Sequence, residues 1–442
     1  MKFNIKNLGV IKEAELELNN LTIITGDNNS GKTFITETYY GLIKELKQNL
    51  KIKLSNNHFN TLIDKRNITF PLNDYMEQIE TNINKIVNSF QEKRLPTIFA
   101  SEDNHFIDCK LNLKIDPILM MPKVITLMGN PKIKISSIED QNINIKLIND
   151  FSEKEENPEK DILPPINYIF SIFLKENFFP RIEYLCAERS SILQFQIDID
   201  GNRSELVNNI QNNEKININE YLSNNTGKFP LVISESLTSV RKIRNRGITK
   251  IIPQNNDVIN NIESILGGTF EVIDKKILFR PIINSNLKLN LSETSSSVCS
   301  LFELSSYLLK DAYKELIFID EPEMNLHPKN QRKIARLIVM MVNSGYQIVI
   351  STHSDIIIRE INTMILLNYT DKKNILKEEG YSDLETLDIT RLNCYATEKN
   401  KDHLTYSLKK IEVSQDEGIE IKSFDNTIEE MNRIQERLIW EV

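Results

Sequence analysis

The segment Gly26-Asp27-Asn28-Asn29-Ser30-Gly31-Lys32-Thr33 puts two glycines, a lysine and two hydroxyls into eight residues. Glycines at those spacings let a backbone turn sharply and present its N–H groups, an arrangement that cradles phosphate oxygens. Lys32 adds a charge able to reach β- and γ-phosphates, and the Thr33 hydroxyl can ligate Mg²⁺ at a helix start. Farther on, Leu316-Ile317-Phe318-Ile319 runs directly into Asp320 and Glu321. A buried strand ending in two acids can hold Mg²⁺ through water with the first, Asp320, and polarise an attacking water with the second, Glu321. His353, in Ser351-Thr352-His353-Ser354, completes the set. Its imidazole can hydrogen-bond a γ-phosphate or the water placed by Glu321, the positional and electrostatic work of phosphoryl transfer.

Such residues need strands and helices to hold them. The glycine-rich segment follows the apolar run Leu21 to Thr25 and precedes a helical period, the strand–loop–helix context a phosphate loop requires. Before it, Phe3 and Ile5, a turn at Gly9, and then Ala14, Leu16 and Leu18 predict a hairpin. After Pro328, Ile334, Leu337, Ile338 and Met341 form one helical face, Gly345 stops the helix, and Tyr346 to Ile350 make a second buried strand. The result is a βαβ unit with Asp320, Glu321 and His353 at its strand ends.

Lys32 and Asp320 stand 288 positions apart, so a lobe is inserted between the two halves of the site. Within it, Met76, Ile79, Ile83, Ile86 and Phe90 mark an amphipathic helix, Phe106 to Ile115 resembles a strand, and Pro164-Pro165 precedes an apolar helix. Asn-rich stretches cover Asn208 to Asn225 and Asn255 to Asn261. The expected organisation is a half-head over 1–60, an inserted lobe over 61–265 with a core strand near 181–190, a second half-head over 266–370, and a β/α extension over 371–442. In that extension we expect strands at Leu404 to Val413 and Gly418 to Phe424. A helix then carries Ile428, Met431, Ile434 and Leu438 on one face. The extension could close the sheet or dock a partner, and closing the sheet is favoured.

Over 442 residues, 40% hydrophobic and 26% charged composition is that of an ordinary globular protein. No run of about 18 apolar residues occurs, and the N-terminus alternates like a strand, which argues against a membrane-embedded or secreted chain. Cys109, Cys186, Cys299 and Cys394 lie far apart without a C-x-x-C pair. They read as reduced packing residues of a cytoplasmic protein. A net charge of -8 argues against nucleic-acid binding by bulk electrostatics, although a local patch could still contact it. The strongest basic cluster is Arg241, Lys242, Arg244, Arg246 and Lys250. It reads first as a solvated helix end and second as a contact for phosphates or an acidic partner.

The set Gly26 to Thr33, Ile319-Asp320-Glu321-Pro322-Glu323, Asn325-Leu326-His327-Pro328 and Thr352-His353-Ser354 resembles ABC-type ATPase heads of the OLD, RecF and SMC kind within the AAA ATPases. It is similar in particular to the stand-alone ATPases of antiphage systems such as PARIS and Septu. Cys186-Ala187-Glu188-Arg189-Ser190 resembles that group's P-A-E-R-S strand, with Cys186 in the proline position. The resemblance implies an α/β fold, a P-loop head with a mixed sheet, N-terminal antiparallel strands and an inserted α-rich lobe. It also implies an ATPase using ATP and Mg²⁺, with Gly26 to Thr33 as Walker A, Asp320 as Walker B, Glu321 as base, Asn325 to His327 as D-loop and His353 as switch histidine. Such heads use a signature against the nucleotide of a second subunit; Ser295-Ser296-Ser297 is the candidate, with Ser297 where glycine is expected and a plain helix cap as the alternative. Gln194 and Gln196 are candidates for the Q-loop. The implied partners are a second copy, as a homodimer or higher homo-oligomer, and a separate effector protein in antiphage defence. Two other readings compete. One is a repair or chromosome-maintenance ATPase that clamps DNA. The other is an OLD-type nuclease, disfavoured because only 89 residues follow His353 and Asp198-Ile199-Asp200 lies in a polar stretch.

Overall fold

Side-chain alternation and unbroken apolar runs sort the strands of the main sheet. The computed structural model describes residues 1–115, 124–128, 132–138, 141–148, 158–196, 229–248, 256–310, 315–370, 373–420 and 430–438. Lys2–Leu8 (β1) and Ile11–Glu17 (β2) form the expected antiparallel hairpin, with Leu8 opposite Ile11. Only one face of the hairpin meets the core, through Phe3, Ile5, Ala14 and Leu16, so its sequence alternates. Leu21–Thr25 (β3) is buried throughout and leads through the glycine-rich loop into the helix Lys32–Asn49 (α1).

The chain between the two motif halves supplies Asn67–Pro71 (β4), Lys110–Lys114 (β5), Val124–Leu127 (β6), Ile133–Ile138 (β7), Asn142–Leu147 (β8) and Ile182–Leu185 (β9). Its helices include Met76–Ser89 (α2), Leu163–Phe178 (α3) and Leu231–Arg246 (α4). The segment expected as an α-rich lobe therefore also carries a four-stranded antiparallel sheet, in the order β4-β8-β7-β6. A small sheet of Gly268–Ile273 (β10), Lys276–Pro281 (β11) and Leu289–Asn290 (β12) leads to the helices Ser296–Ser300 (α5) and Phe302–Lys310 (α6).

Leu316–Asp320 (β13), the helix Pro328–Asn343 (α7) and Gln347–Thr352 (β14) form the expected βαβ unit. Pro328 opens α7, Ile334, Leu337, Ile338 and Met341 are buried, and Gly345 follows the helix with φ 97. Asp355–Tyr369 (α8) comes after His353, and Leu392–Lys399 (β15) and Tyr406–Ile411 (β16) follow.

The main sheet has nine strands in the order β5-β1-β2-β16-β15-β3-β14-β13-β9. From β9 to β15 every neighbouring pair is parallel. Parallel strands covered on both faces read as continuous apolar runs, and β13 is buried along its length. The C-terminal strands close the sheet between β3 and the N-terminal hairpin: β15 pairs with β3, and β16 with β2. The two edges, β5 and β9, come from the expected insertion. Of the strand expected over Gly418 to Phe424, Gly418–Ile419 pairs with Val413–Ser414, while 421–424 lie outside the described residues. Ile428 also lies outside them; Met431, Ile434 and Leu438 are exposed. Among the described residues no helix is long and apolar enough to cross a membrane.

Candidate functional site

The sheet order brings the C-terminal ends of β3, β14 and β13 side by side, which gathers Gly26–Thr33, Ser351–His353 and Asp320–Glu321 at one end of the parallel strands. Past Thr25 the backbone turns through Gly26 (φ 142), Asn29 (φ 60) and Gly31 (φ 91). Gly31 is the N-cap of α1 and provides no side-chain cap, so the first N–H groups of the helix are left for a ligand to satisfy. Lys32 is buried beneath the loop and donates to Gly26 O at 2.9 Å and Asp27 O at 2.7 Å. Burial draws its ammonium below the ordinary value, and the Glu321, Asp320 and Glu323 carboxylates pull the other way.

Thr33 Oγ1 donates to Asp320 Oδ2 at 3.1 Å, across 287 positions of sequence. The Ser351 hydroxyl donates to the other carboxylate oxygen. Burial pushes the Asp320 carboxyl up to about 6, the charge of Glu321 adds to the rise, and the Ser351 and Thr33 hydroxyls oppose it. A carboxylate that water no longer stabilises is well suited to a cation. Beyond the strand, Glu321 takes φ 46 while its N–H donates to Ser351 O at 3.0 Å. A non-glycine residue in the left-handed region is held there by its surroundings. His353 Nδ1 lies 3.5 Å from Oε1 of both Glu321 and Glu323. Glu323 Oε1 accepts from Thr352 Oγ1 at 2.7 Å and from His353 N at 2.9 Å, fixing the turn that carries the imidazole.

In the sequence Arg189 stands out only within the run Cys186 to Ser190, yet in the fold it is a buried four-way clamp. Its guanidinium donates to Ser300 O (2.8 Å), Cys186 O (2.9 Å), Asp320 O (2.7 Å) and Glu321 O (2.9 Å). It thus binds the end of β13 to the end of α5. Asn325 Nδ2 donates to Ser190 Oγ at 3.2 Å beside it. Two further groups carried no sequence signal. Glu37, on α1, is buried near Asp320 and Glu188 and its carboxyl is pushed up to about 9, chiefly by burial. Thr397, on β15, donates to Ser30 Oγ at 2.6 Å.

The three serines sit apart from this group. Ser295 is the N-cap of α5; its Oγ accepts from Val298 N at 3.4 Å and lies 2.8 Å from Ser297 Oγ. Ser296 opens the helix. Their bonds stay within their own turn, and Arg189 links that turn to the carboxylates through Ser300. Gln194 reaches Cys299 Sγ at 3.8 Å and Gln196 bonds Leu193 O at 3.2 Å. Arg241, Lys242, Arg244 and Arg246 occupy the last part of α4; Lys250, Asp198 and Asp200 lie outside the described residues.

The side chains fit a magnesium nucleotide. The loop needs glycine at both ends: a Cβ on Gly26 would stand 1.9 Å from Thr397 Oγ1 and one on Gly31 2.6 Å from Ile11 Cδ1, so only a bare backbone can turn there. The uncapped start of α1 leaves N–H groups suited to an anion, and the Thr33 hydroxyl and the buried Asp320 carboxylate converge as oxygen ligands suited to a cation. The family model for the AAA ATPase domain matches residues 1–358. Over 39 residues the chain is 54% identical to the Old nuclease of Escherichia phage P2, a stretch that spans 9% of this chain and 7% of that protein. An SMC head domain from Thermotoga maritima aligns with 93% of this chain and 98% of its own at 13% identity and TM-score 0.31. An Smc head with an extended coiled coil, bound to a C-terminal domain of ScpA derived from Pyrococcus furiosus, aligns over 98% of both chains at 11% identity and TM-score 0.34.

Proposed function

The chain belongs to the AAA ATPase domain family, and from that premise we propose that it binds and hydrolyses ATP at the C-terminal ends of β3, β14 and β13. The observation that carries the reading is the junction of its two distant halves, the Thr33 hydroxyl 3.1 Å from Asp320 beneath the uncapped start of α1. In this reading the loop N–H groups from Gly26 to Thr33 hold the phosphates and Lys32 adds its charge to them. Thr33 and Asp320 would hold Mg²⁺, which when bound supplies charge neutralisation for the phosphates. Glu321 orients the attacking water and accepts its proton. His353 is held over Glu321 by the turn that Glu323 fixes, within reach of the same water or the γ-phosphate.

The wider part of the proposal is that Ser295, Ser296 and Ser297 face the nucleotide of a second copy, so that ATP joins two subunits and its hydrolysis controls a separate effector. In such an assembly Arg189, whose contacts run from α5 to Asp320 and Glu321, would link the serine turn to the carboxylates. Support for an antiphage role is the resemblance of the motif set alone.

Phosphate release by the purified chain with Mg-ATP tests the enzymatic reading, set beside Glu321→Gln. The variant should bind ATP and turn over at least about 10²-fold more slowly. Background turnover by the wild type, or wild-type turnover by the variant, overturns it. For the wider part, copurification from the native host should bring down an effector protein with the chain.

A further inference from the structure

We propose that Thr397, on the strand added from the C-terminal side, is a positioning residue of the nucleotide site; this rests on the reading of Gly26–Thr33 as the ATP-binding loop. Thr397 lies beyond residues 1–358, the part matched by the family, and 367 positions from the serine it touches. β15 pairs in parallel with β3, with Ala396 opposite Thr25. Thr397 therefore stands beside the point where β3 leaves the sheet to become the loop.

Its hydroxyl is buried and lies 2.6 Å from Ser30 Oγ and 3.3 Å from Thr25 O. Ser30 Oγ donates in turn to Asp27 O at 2.7 Å. With the serine proton directed at Asp27, Thr397 is the donor to Ser30. The result is a line of hydroxyls running from the C-terminal strand across the loop, tying its late part to its early part. The loop is moulded to that side chain: a Cβ on Gly26 would stand 1.9 Å from Thr397 Oγ1. The same tail is also anchored on the middle of α8. Asn362, on α8, donates to Ile419 O at 2.9 Å and accepts from Ile419 N at 2.8 Å.

The test compares Thr397→Val, which keeps the shape and removes the hydroxyl, with Thr397→Ser, which keeps the hydroxyl, both in the full chain. The measurements are affinity for a fluorescent ATP analogue with Mg²⁺, kcat and KM, and hydrogen exchange of the loop amides 26–31 without nucleotide. Loss of one neutral hydrogen bond predicts about threefold to tenfold weaker binding and a matching rise in KM for the valine variant. Its kcat should stay within about twofold, because the chemical groups are untouched. Its loop amides should exchange faster, while the serine variant behaves as wild type. Unchanged affinity and exchange in Thr397→Val overturn the proposal, as does an equal loss in both variants accompanied by a lowered melting temperature. If the wild type binds no nucleotide, the ATP reading fails, and loop exchange still decides whether Thr397 shapes the loop.

Discussion

Two helix starts, those of α1 and α5, are the ones proposed to face phosphates, and they are built in opposite ways. α1 has eighteen residues, and its N-cap, Gly31, offers no side chain to its own N–H groups. α5 has five residues, and its N-cap, Ser295, bonds the N–H of Val298. An open start with a long helix behind it is poised for an anion before any partner arrives. A self-capped short start must give up its cap when it meets one, and so suits a contact made only on assembly. Burial follows the same division. Lys32 and Asp320 are buried beside α1, whereas Ser295 and Ser296 are exposed.

The sharpest way to break the comparison is at the open start. Lys32→Ala should abolish nucleotide binding or turnover while the fold remains, since the ammonium bonds only carbonyls of its own loop. Calorimetric titration with Mg-ATP alongside circular dichroism checks both halves. Wild-type affinity in a folded variant would remove α1 from its role.

A smaller effect comes from within α1. Glu37 holds its proton up to about 9 in the folded chain, against an ordinary value of 4.5. Between those values the folded state keeps a proton that the unfolded state has released. Stability therefore falls as pH rises through the window, at up to roughly 1.4 kcal/mol per pH unit, is complete below it and flat above it. Glu37→Gln removes that dependence. Urea unfolding of the nucleotide-free protein should show the variant's advantage growing by roughly 2 to 3 kcal/mol between pH 6 and pH 8. Parallel curves for the two proteins would show that the carboxyl is solvated or paired.

What could be read in the sequence divides along a related line. The loop, β3, β13, α7 and β14 are contiguous segments whose apolar runs or periods declare themselves locally, and they stand where expected. Arg189 clamps carbonyls at Ser300, Asp320 and Glu321, more than a hundred positions away, and nothing local marks such a bond. β15 lies between β3 and β16, yet its sequence, LNCYATEK, mixes Asn393 and Thr397 into a buried strand. Those polar residues serve Glu17 O and the loop, so the strand lacks the apolar run that identified β13. The four-stranded sheet β4-β8-β7-β6 was hidden for another reason. Its strands pair locally only in part: β4 joins β8 across a long separation, and the intervening helices dominate the pattern.

The smallest expected effect is at the self-capped start. Ser295→Ala removes the acceptor for Val298 N, and loss of an N-cap costs about 1 kcal/mol. Because α5 is short and continues into α6, that cost should register in urea unfolding as a modest shift of the midpoint with an unchanged slope. Binding of Mg-ATP to the variant's own α1 start should be unaltered. The separation between the two starts then becomes testable in mixtures. A Lys32→Ala subunit keeps an intact α5, and a subunit with both Ser295→Ala and Ser296→Ala keeps an intact α1. Mixing them should restore up to one working site per dimer, because each supplies the start the other lacks. If differently tagged subunits are shown to associate and no mixture recovers turnover, the serines cap their helix and do nothing more, and the two starts differ because only α1 meets a phosphate.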